Sequence, residues 1–268
     1  MLIKSFEAYR QGRDALLHAI ESAIADEPRI MAAWLFGSFG RGTQDDLSDL
    51  DLWLVVPSAD IDEMVARRRD FVKQFGEPVL MLEAPQNAPV GGGYLMVYYD
   101  GPAGAYQVDW YWQPEPDAAV PAAVRMLKSV VELTHEEREV RFANKAADPA
   151  ITNQAAHIVG FFWAMLHICA KYAVREPDAD RMALLPVVLV PWSQMGQRCG
   201  ESVDVEVWKR RLQQSISAKI QLLRQLGQHM MAWQEQLAQA GTETPQNMAS
   251  SVLCFLDYIE EVQGAESR

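Results

Sequence analysis

The chain has 268 residues, 49% hydrophobic and 22% charged, which is typical of a globular protein and unlike a disordered or collagen-like chain. Its formal net charge of −12 disfavours binding to bulk nucleic acid, because an acidic surface repels phosphate backbones. Three widely spaced cysteines predict neither a disulfide framework nor a zinc site, which favours a cytoplasmic protein. The charged N-terminus lacks a signal-peptide core and the longest apolar run is too short to span a bilayer, so no membrane insertion is expected.

The first half of the sequence predicts an alternation of helices and short strands. Apolar residues at helical spacing predict an amphipathic helix that ends before Pro28, and a charged helix is expected from Ser58 to about Phe75. Glycine and proline residues delimit five strand-like runs, at residues 30–36, 49–56, 79–83, 94–100 and 106–112. A polar, glycine-bearing loop is expected over residues 37–46.

The second half of the sequence has a helical pattern of apolar residues instead of strand-like runs. Residues 113–121 contain three prolines and two acids and are predicted to form a linker. Beyond them, three apolar stripes at helical spacing predict a bundle of four to six helices. We therefore expect an α+β protein in which a domain with a mixed sheet and flanking helices, residues 1–112, precedes a helical domain, residues 122–268.

Two aspartates open the second predicted strand. Because strand side chains alternate between faces, Asp49 and Asp51 share one face, about 7 Å apart, and the intervening leucines point into a core. Carboxylate oxygens are ligands that Mg²⁺ prefers, and two such ions about 4 Å apart can hold the attacking and leaving oxygens of a phosphoryl transfer. A third carboxylate, Asp109, lies in an alternating run and would join the pair if its strand lay beside theirs.

The loop before this strand supplies groups that suit a phosphate. Gly37 lets the backbone approach a phosphate closely, and the Ser38 hydroxyl can bind phosphate oxygens together with nearby backbone amides. Arg41 adds a guanidinium that can pair with phosphate through two hydrogen bonds. The loop and the aspartates together predict a site for a nucleotide and a divalent metal.

The segment LFGSFGRGTQDDLSDLDLWLVV resembles the signature of the DNA polymerase beta-like nucleotidyltransferase superfamily. That pattern is a hydrophobic strand, Gly-Ser, a loop with Arg-Gly, Asp-hydrophobic-Asp, and a third carboxylate on a later strand. The resemblance covers about residues 30–112 and implies a nucleotidyltransferase domain that uses Mg²⁺, as two ions, and ATP or another nucleoside triphosphate. It implies three catalytic, metal-binding carboxylates and three nucleotide-binding loop residues: Asp49, Asp51, Asp109, Gly37, Ser38 and Arg41.

The overall plan is similar to that of small antibiotic nucleotidyltransferases, which modify aminoglycosides or lincosamides. The resemblance implies transfer of a nucleoside monophosphate, AMP from ATP, to a hydroxyl of a small molecule, and a role in antibiotic resistance. The acidic charge favours an acceptor that carries amines. The helical half is expected to bind this substrate, although it carries no motif that identifies it, and the oligomeric state stays open.

Two other functions remain open from the sequence. In the first, the chain is a nucleotidyltransferase whose acceptor is a protein side chain or a tRNA end, although the negative charge argues against tRNA. In the second, it is an antitoxin-like or regulatory module that binds a nucleotide without turnover. The identity of the general base is also open. Asp109 is the first candidate, and an acidic segment after the linker offers others: Glu132, Glu136, Glu137 and Glu139.

Overall fold

The computed structural model describes residues 6–118, 120–131, 141–175, 185–211 and 216–265. These residues group into two compact units. The sheet unit comprises the described residues within 5–102 and 106–147, and the helical unit comprises those within 103–105 and 148–268.

The sheet unit is built on one six-stranded mixed sheet with the strand order β3-β4-β5-β2-β1-β6. The pair β2 and β5 is parallel, and the other neighbouring strands are antiparallel. The helices and strands of this unit are α1 (Glu7–Asp26), β1 (Ala32–Leu35), α2 (Gly37–Arg41), β2 (Leu50–Val56), α3 (Ile61–Ala66), α4 (Arg68–Val72), β3 (Pro78–Leu82), β4 (Gly93–Tyr99), β5 (Tyr106–Pro114) and β6 (Arg125–Ser129).

Both faces of the sheet carry apolar side chains, and this determines which way the polar residues of β2 and β5 point. On one face, α1, α3 and α4 cover a core that includes Leu50, Leu52, Leu54, Val108, Trp110 and Trp112. The opposite face carries a second, aromatic core that includes Trp34, Trp53, Tyr94 and Tyr111. Because side chains alternate along a strand, Asp51 and Asp109 lie on the face of this aromatic core. The expected burial of the leucines beside the aspartates is therefore observed.

Several elements of the sheet unit differ from their predicted bounds. The expected loop over residues 37–46 begins with the short helix α2, and Gly37 and Gly42 adopt positive φ angles at its two ends. The charged helix after Ser58 is divided into α3 and α4, which meet at Arg67. β5 runs through Pro114 into the expected linker, and β6 pairs with β1, so the sheet extends beyond Trp112.

The helical unit confirms the predicted helical C-terminal half. Its helices are α5 (Pro149–Thr152), α6 (Ala155–Arg175), α7 (Leu185–Arg198), α8 (Val205–Arg211), α9 (Ile216–Gln239) and α10 (Gln246–Ala265). α6 packs against α7, α9 and α10. α6 is also long and apolar enough to cross a bilayer by length and composition, but 67% of its most apolar stretch is buried, so it is weak evidence for a membrane span.

Candidate active site

Asp51 and Asp109 are brought together by the parallel pairing of β2 and β5. They are direct partners in the register of this pair, on strands about 4.8 Å apart, and both side chains extend from the same face of the sheet. Asp49 immediately precedes β2, and alternation places it on that face too. The structure thus juxtaposes the three carboxylates that the sequence pattern singled out.

Hydrogen bonds from neighbouring side chains fix the carboxylate of Asp109. The hydroxyl of Tyr94, on β4, donates to its Oδ1 at 2.8 Å, and Nε2 of Gln107 donates to its Oδ2 at 3.1 Å. The hydroxyl of Tyr98 in turn donates to Oε1 of Gln107 at 3.2 Å. Asp109 is itself only 8% exposed, so this network determines the orientation of a buried carboxyl group.

Burial and neighbouring charge both disfavour the ionised form of Asp109. Desolvation is the larger cause, and the negative charges of Asp49 and Asp51 add to it, so that the pKa of Asp109 rises to about 8. The hydrogen bonds from Tyr94 and Gln107 oppose this rise in pKa. The three carboxylates therefore repel one another strongly enough to affect ionisation, which a nearby cation would reverse.

Helix α2 fits closely against the start of β2. The amide of Phe36, the residue before α2, donates to the carbonyl oxygen of Asp51 at 3.0 Å. This hydrogen bond joins the start of α2 to β2. Gly37 follows with a φ of +61°, and a Cβ placed there would lie 2.0 Å from Oδ2 of Asp51. Only glycine suits this position, because any side chain would occupy the space of the carboxylate.

The remaining loop residues lie in α2 at different depths. The Ser38 Oγ is buried and has no hydrogen-bond partner among the described residues, which is costly unless a ligand supplies one. Arg41 lies in the last turn of α2 and is exposed to solvent. The other candidate bases, Glu132, Glu136, Glu137 and Glu139, lie outside the described residues.

Some residues that hold this site in place were not predicted from the sequence. Tyr94 reads as an ordinary strand residue, and only the register of β4 with β5 shows that it reaches Asp109. Gln107 lies two residues before Asp109 on the same face of β5, but its hydrogen bond to the carboxylate was not predicted. Arg13 was not predicted either, although its position in α1 is unusual for a charged residue. It occupies the apolar stripe of α1, between Tyr9 and Leu17, where a charge is unexpected unless it has buried partners.

The donor chemistry of the site suits a divalent cation such as Mg²⁺. Its carboxylates are hard oxygen ligands, and their mutual repulsion, seen in the raised pKa of Asp109, is what a bound cation would relieve. In the described part of the chain, however, no three His, Cys, Asp or Glu side chains are arranged to hold a metal ion. Asp49 and Asp51 are the residues best placed to bind one, since both oxygens of Asp109 already accept hydrogen bonds.

The chain is similar to known proteins in one family model and in solved structures. The family model described as polymerase beta, nucleotidyltransferase matches residues 18–86, which include Gly37, Ser38, Asp49 and Asp51. No curated protein matches the chain. A solved c-di-GMP synthase, the STING-associated CdnE of Capnocytophaga granulosa, is similar at 10% identity with a TM-score of 0.30, over 88% of this chain and 83% of that one. The family match assigns a nucleotidyltransferase domain to residues 18–86 and supports a nucleotidyltransferase.

Proposed function

We propose that this enzyme transfers a nucleoside monophosphate, AMP from ATP, to a hydroxyl group of a small molecule that carries amines, such as an aminoglycoside or lincosamide antibiotic. The observation that carries the proposal is the direct pairing of Asp51 with Asp109 beside the close approach of Gly37. This arrangement brings carboxylates and the glycine of the α2 entry to one place on the sheet.

The residues of the site have separate roles in this reaction. Asp49 and Asp51 hold Mg²⁺, which when bound supplies positive charge next to the phosphoryl oxygens. Ser38, whose buried hydroxyl lacks a partner in the described part of the chain, donates to a phosphate oxygen of the leaving group. Arg41 is exposed at the end of α2 and neutralises the charge of the pyrophosphate.

The bond changes balance without a further co-reactant. The acceptor oxygen forms a bond to the α-phosphorus of ATP, and the bond from that phosphorus to the β-bridging oxygen breaks as pyrophosphate leaves. The hydroxyl proton passes to the carboxylate of Asp109, which the hydroxyl of Tyr94 and the amide of Gln107 hold in orientation. Asp109 is thus proposed as the general base, beside the cation site that Asp49 and Asp51 form.

The acidic charge of the chain supports an acceptor with amines. A net charge of −12 attracts a cationic small molecule and repels a polyanion such as tRNA. We further propose that the helical unit selects this acceptor and that the protein is cytoplasmic, in line with three cysteines that all lie in described ranges and form no disulfide.

The test is a screen of purified protein for pyrophosphate release. ATP and Mg²⁺ are combined in turn with aminoglycosides, lincosamides, tRNA, an acceptor protein, and no acceptor. The proposal predicts release with an amine-bearing antibiotic and little release with tRNA. Release with tRNA or protein alone would show that the acceptor is that macromolecule and not an antibiotic. Mg²⁺-dependent ATP binding without release with any acceptor would support a nucleotide-binding module instead.

A further inference from the structure

Arg13 is a buried charge in the middle of α1. Its side chain is 3% exposed, and it occupies a position on the helix where its neighbours on the same stripe are apolar. Burying a guanidinium is costly unless hydrogen bonds replace its water. The hydrogen-bond partners of Arg13 therefore indicate which part of the structure it stabilises.

Those partners are main-chain carbonyls of the turn that leads into the aspartate pair. Nη1 of Arg13 donates to the carbonyl oxygen of Asp45 at 2.7 Å and to that of Ser48 at 3.1 Å, and it makes a longer contact of 3.4 Å with that of Asp46. Residues 43–49 form neither helix nor strand, so their position depends on such contacts. Asp49 directly follows the carbonyl of Ser48.

The same guanidinium also contacts the phosphate-binding side of the site. Its Cζ lies 4.9 Å from the ring centroid of Phe39, which is buried in α2 directly after Ser38. A cation over an aromatic ring is attracted by the negative face of the ring. One side chain thus touches both the segment that carries Ser38 and the segment that carries Asp49.

Arg13 is fixed in this place by a further acid. Oδ1 of Asp14 accepts hydrogen bonds from its Nε at 3.0 Å and from its Nη2 at 2.8 Å. The planar fork of the guanidinium therefore directs Nε and Nη2 to Asp14 while Nη1 faces the turn. A lysine ammonium cannot make all these bonds and stack on the ring of Phe39 at once.

We infer that Arg13 is a positioning residue that holds the turn at 45–48 and helix α2 in one fixed relation, and thereby sets the metal-binding aspartates against the nucleotide-binding serine. This inference rests on the proposed function. Small misplacements of reacting groups are expensive, since about 1 Å can cost about 100-fold in rate.

The experiment compares Arg13→Lys with the wild-type protein by hydrogen exchange and by ATP titration. In Arg13→Lys, amides of residues 43–49 exchange faster than in the wild type, whereas those of α6 in the helical unit do not change. The Mg²⁺ concentration that half-saturates ATP binding rises about tenfold. The matched control is Arg10→Lys. Arg10 also contacts the turn, at 3.4 Å from the side chain of Asp46, but its side chain is exposed and such ion pairs contribute little, so this variant should alter neither readout.

A second variant covers the case in which Arg13→Lys does not fold. Phe39→Leu keeps an apolar side chain in the core and removes only the ring that the guanidinium stacks on. It should speed exchange in α2 and weaken Mg²⁺-dependent ATP binding, with the turn at 45–48 still protected.

Unchanged exchange in both variants overturns the positioning role, and faster exchange with unchanged Mg²⁺ dependence overturns its link to the site. If the wild type itself binds no ATP with Mg²⁺, the proposed function fails, while the exchange rates still decide whether Arg13 holds the two segments.

Discussion

Asp51 and Asp109 lie directly opposite each other on the parallel strands β2 and β5. They are far apart in sequence, and the parallel pairing of these strands is the one exception in a sheet whose other described pairs are antiparallel. This pairing places a buried, hydrogen-bonded carboxyl group next to a more accessible one. Two carboxylates in different surroundings can take different roles, one toward a metal and the other toward a proton.

The close approach of Gly37 to Asp51 gives the first prediction. Gly37→Ala should reduce transfer by more than about 100-fold, because the added Cβ would lie 2.0 Å from Oδ2 of Asp51 and displace the carboxylate. Gly42→Ala is the matched control, since Gly42 also has a positive φ, of +66°, but its Cβ would meet nothing within 4 Å. Both variants should lose about 1–2 kcal/mol of stability from backbone strain. Gly37→Ala should lose more because of its contact with Asp51, and steady-state rates of the folded proteins then compare their activities. Equal activity of the two would show that the contact with Asp51 does not matter.

The hydrogen bond from Tyr94 to Asp109 gives the second prediction. Tyr94→Phe should lower kcat about tenfold, because it removes the donor to Oδ1 and leaves the carboxyl group less firmly oriented. Tyr98→Phe, on the same strand, removes a hydroxyl that donates to Gln107 and not to Asp109, so it should lower kcat less. Each variant should cost about 1–3 kcal/mol in urea unfolding. A larger loss of kcat in Tyr98→Phe than in Tyr94→Phe would contradict this assignment.

The different surroundings of Asp49 and Asp109 give the third prediction. Asp109→Asn should cut kcat strongly with little change in ATP affinity, because an amide keeps the shape of the group but cannot take a proton. Asp49→Asn should weaken ATP binding only when Mg²⁺ is present, because the lost metal ligand loosens the triphosphate. Calorimetric titrations of both variants, with and without Mg²⁺, check this. Equal losses of ATP affinity would make Asp109 a plain metal ligand and direct the search for the base to the segment from Glu132 to Glu139.

The ion pair after α1 gives a prediction about pH and stability. The carboxylate of Glu27 accepts hydrogen bonds from Nε and Nη2 of Arg29 at 2.9 and 3.0 Å, which lowers the pKa of Glu27 in the folded state. A folded-state pKa below the unfolded value stabilises the protein above the unfolded pKa, and this contribution is lost as the pH falls through the folded pKa. Glu27→Gln should therefore lower the free energy of unfolding by up to about 1 kcal/mol at neutral pH, and the difference should shrink toward about pH 3.

Urea unfolding at both pH values measures that difference. Glu63→Gln serves as the control, since Glu63 is exposed and its contacts with Arg29 and Arg67 are long, at 3.7 and 3.5 Å. It should have a smaller effect at neutral pH. A difference between Glu27→Gln and the wild type that grows on acidification would contradict the assignment.

Local patterns in the sequence predicted where the paired aspartates lie, but not the order of the strands or the short helix before them. Asp49 and Asp51 could be placed on one face because alternation along a strand is a local property, and β2 begins within one residue of its predicted start. The pairing of Asp51 with Asp109 depends on the order of strands in the sheet, which no local pattern contains. The short helix α2 was missed because a five-residue helix flanked by glycines looks like a polar loop in the sequence.

The supporting residues escaped prediction for a related reason. Tyr94 and Arg13 act through contacts with residues 15 and more than 30 positions away in the sequence. A tyrosine on a strand is ordinary, and only its register shows that it reaches a carboxylate. The arginine on the apolar stripe of α1 did carry a local signal, since a charge at a buried helical position needs partners, but the sequence did not identify those partners.

The most direct test of the account is pyrophosphate release from ATP by Asp51→Asn, measured with Mg²⁺ and the best acceptor from the screen. We expect a loss of about 100-fold or more with an unchanged melting temperature, because the substitution removes a ligand charge from a partly exposed site. Asp62→Asn, at an exposed position in the first turn of α3, should keep full activity. If Asp51→Asn keeps more than about a tenth of wild-type turnover, the carboxylates of β2 and β5 do not form the catalytic site.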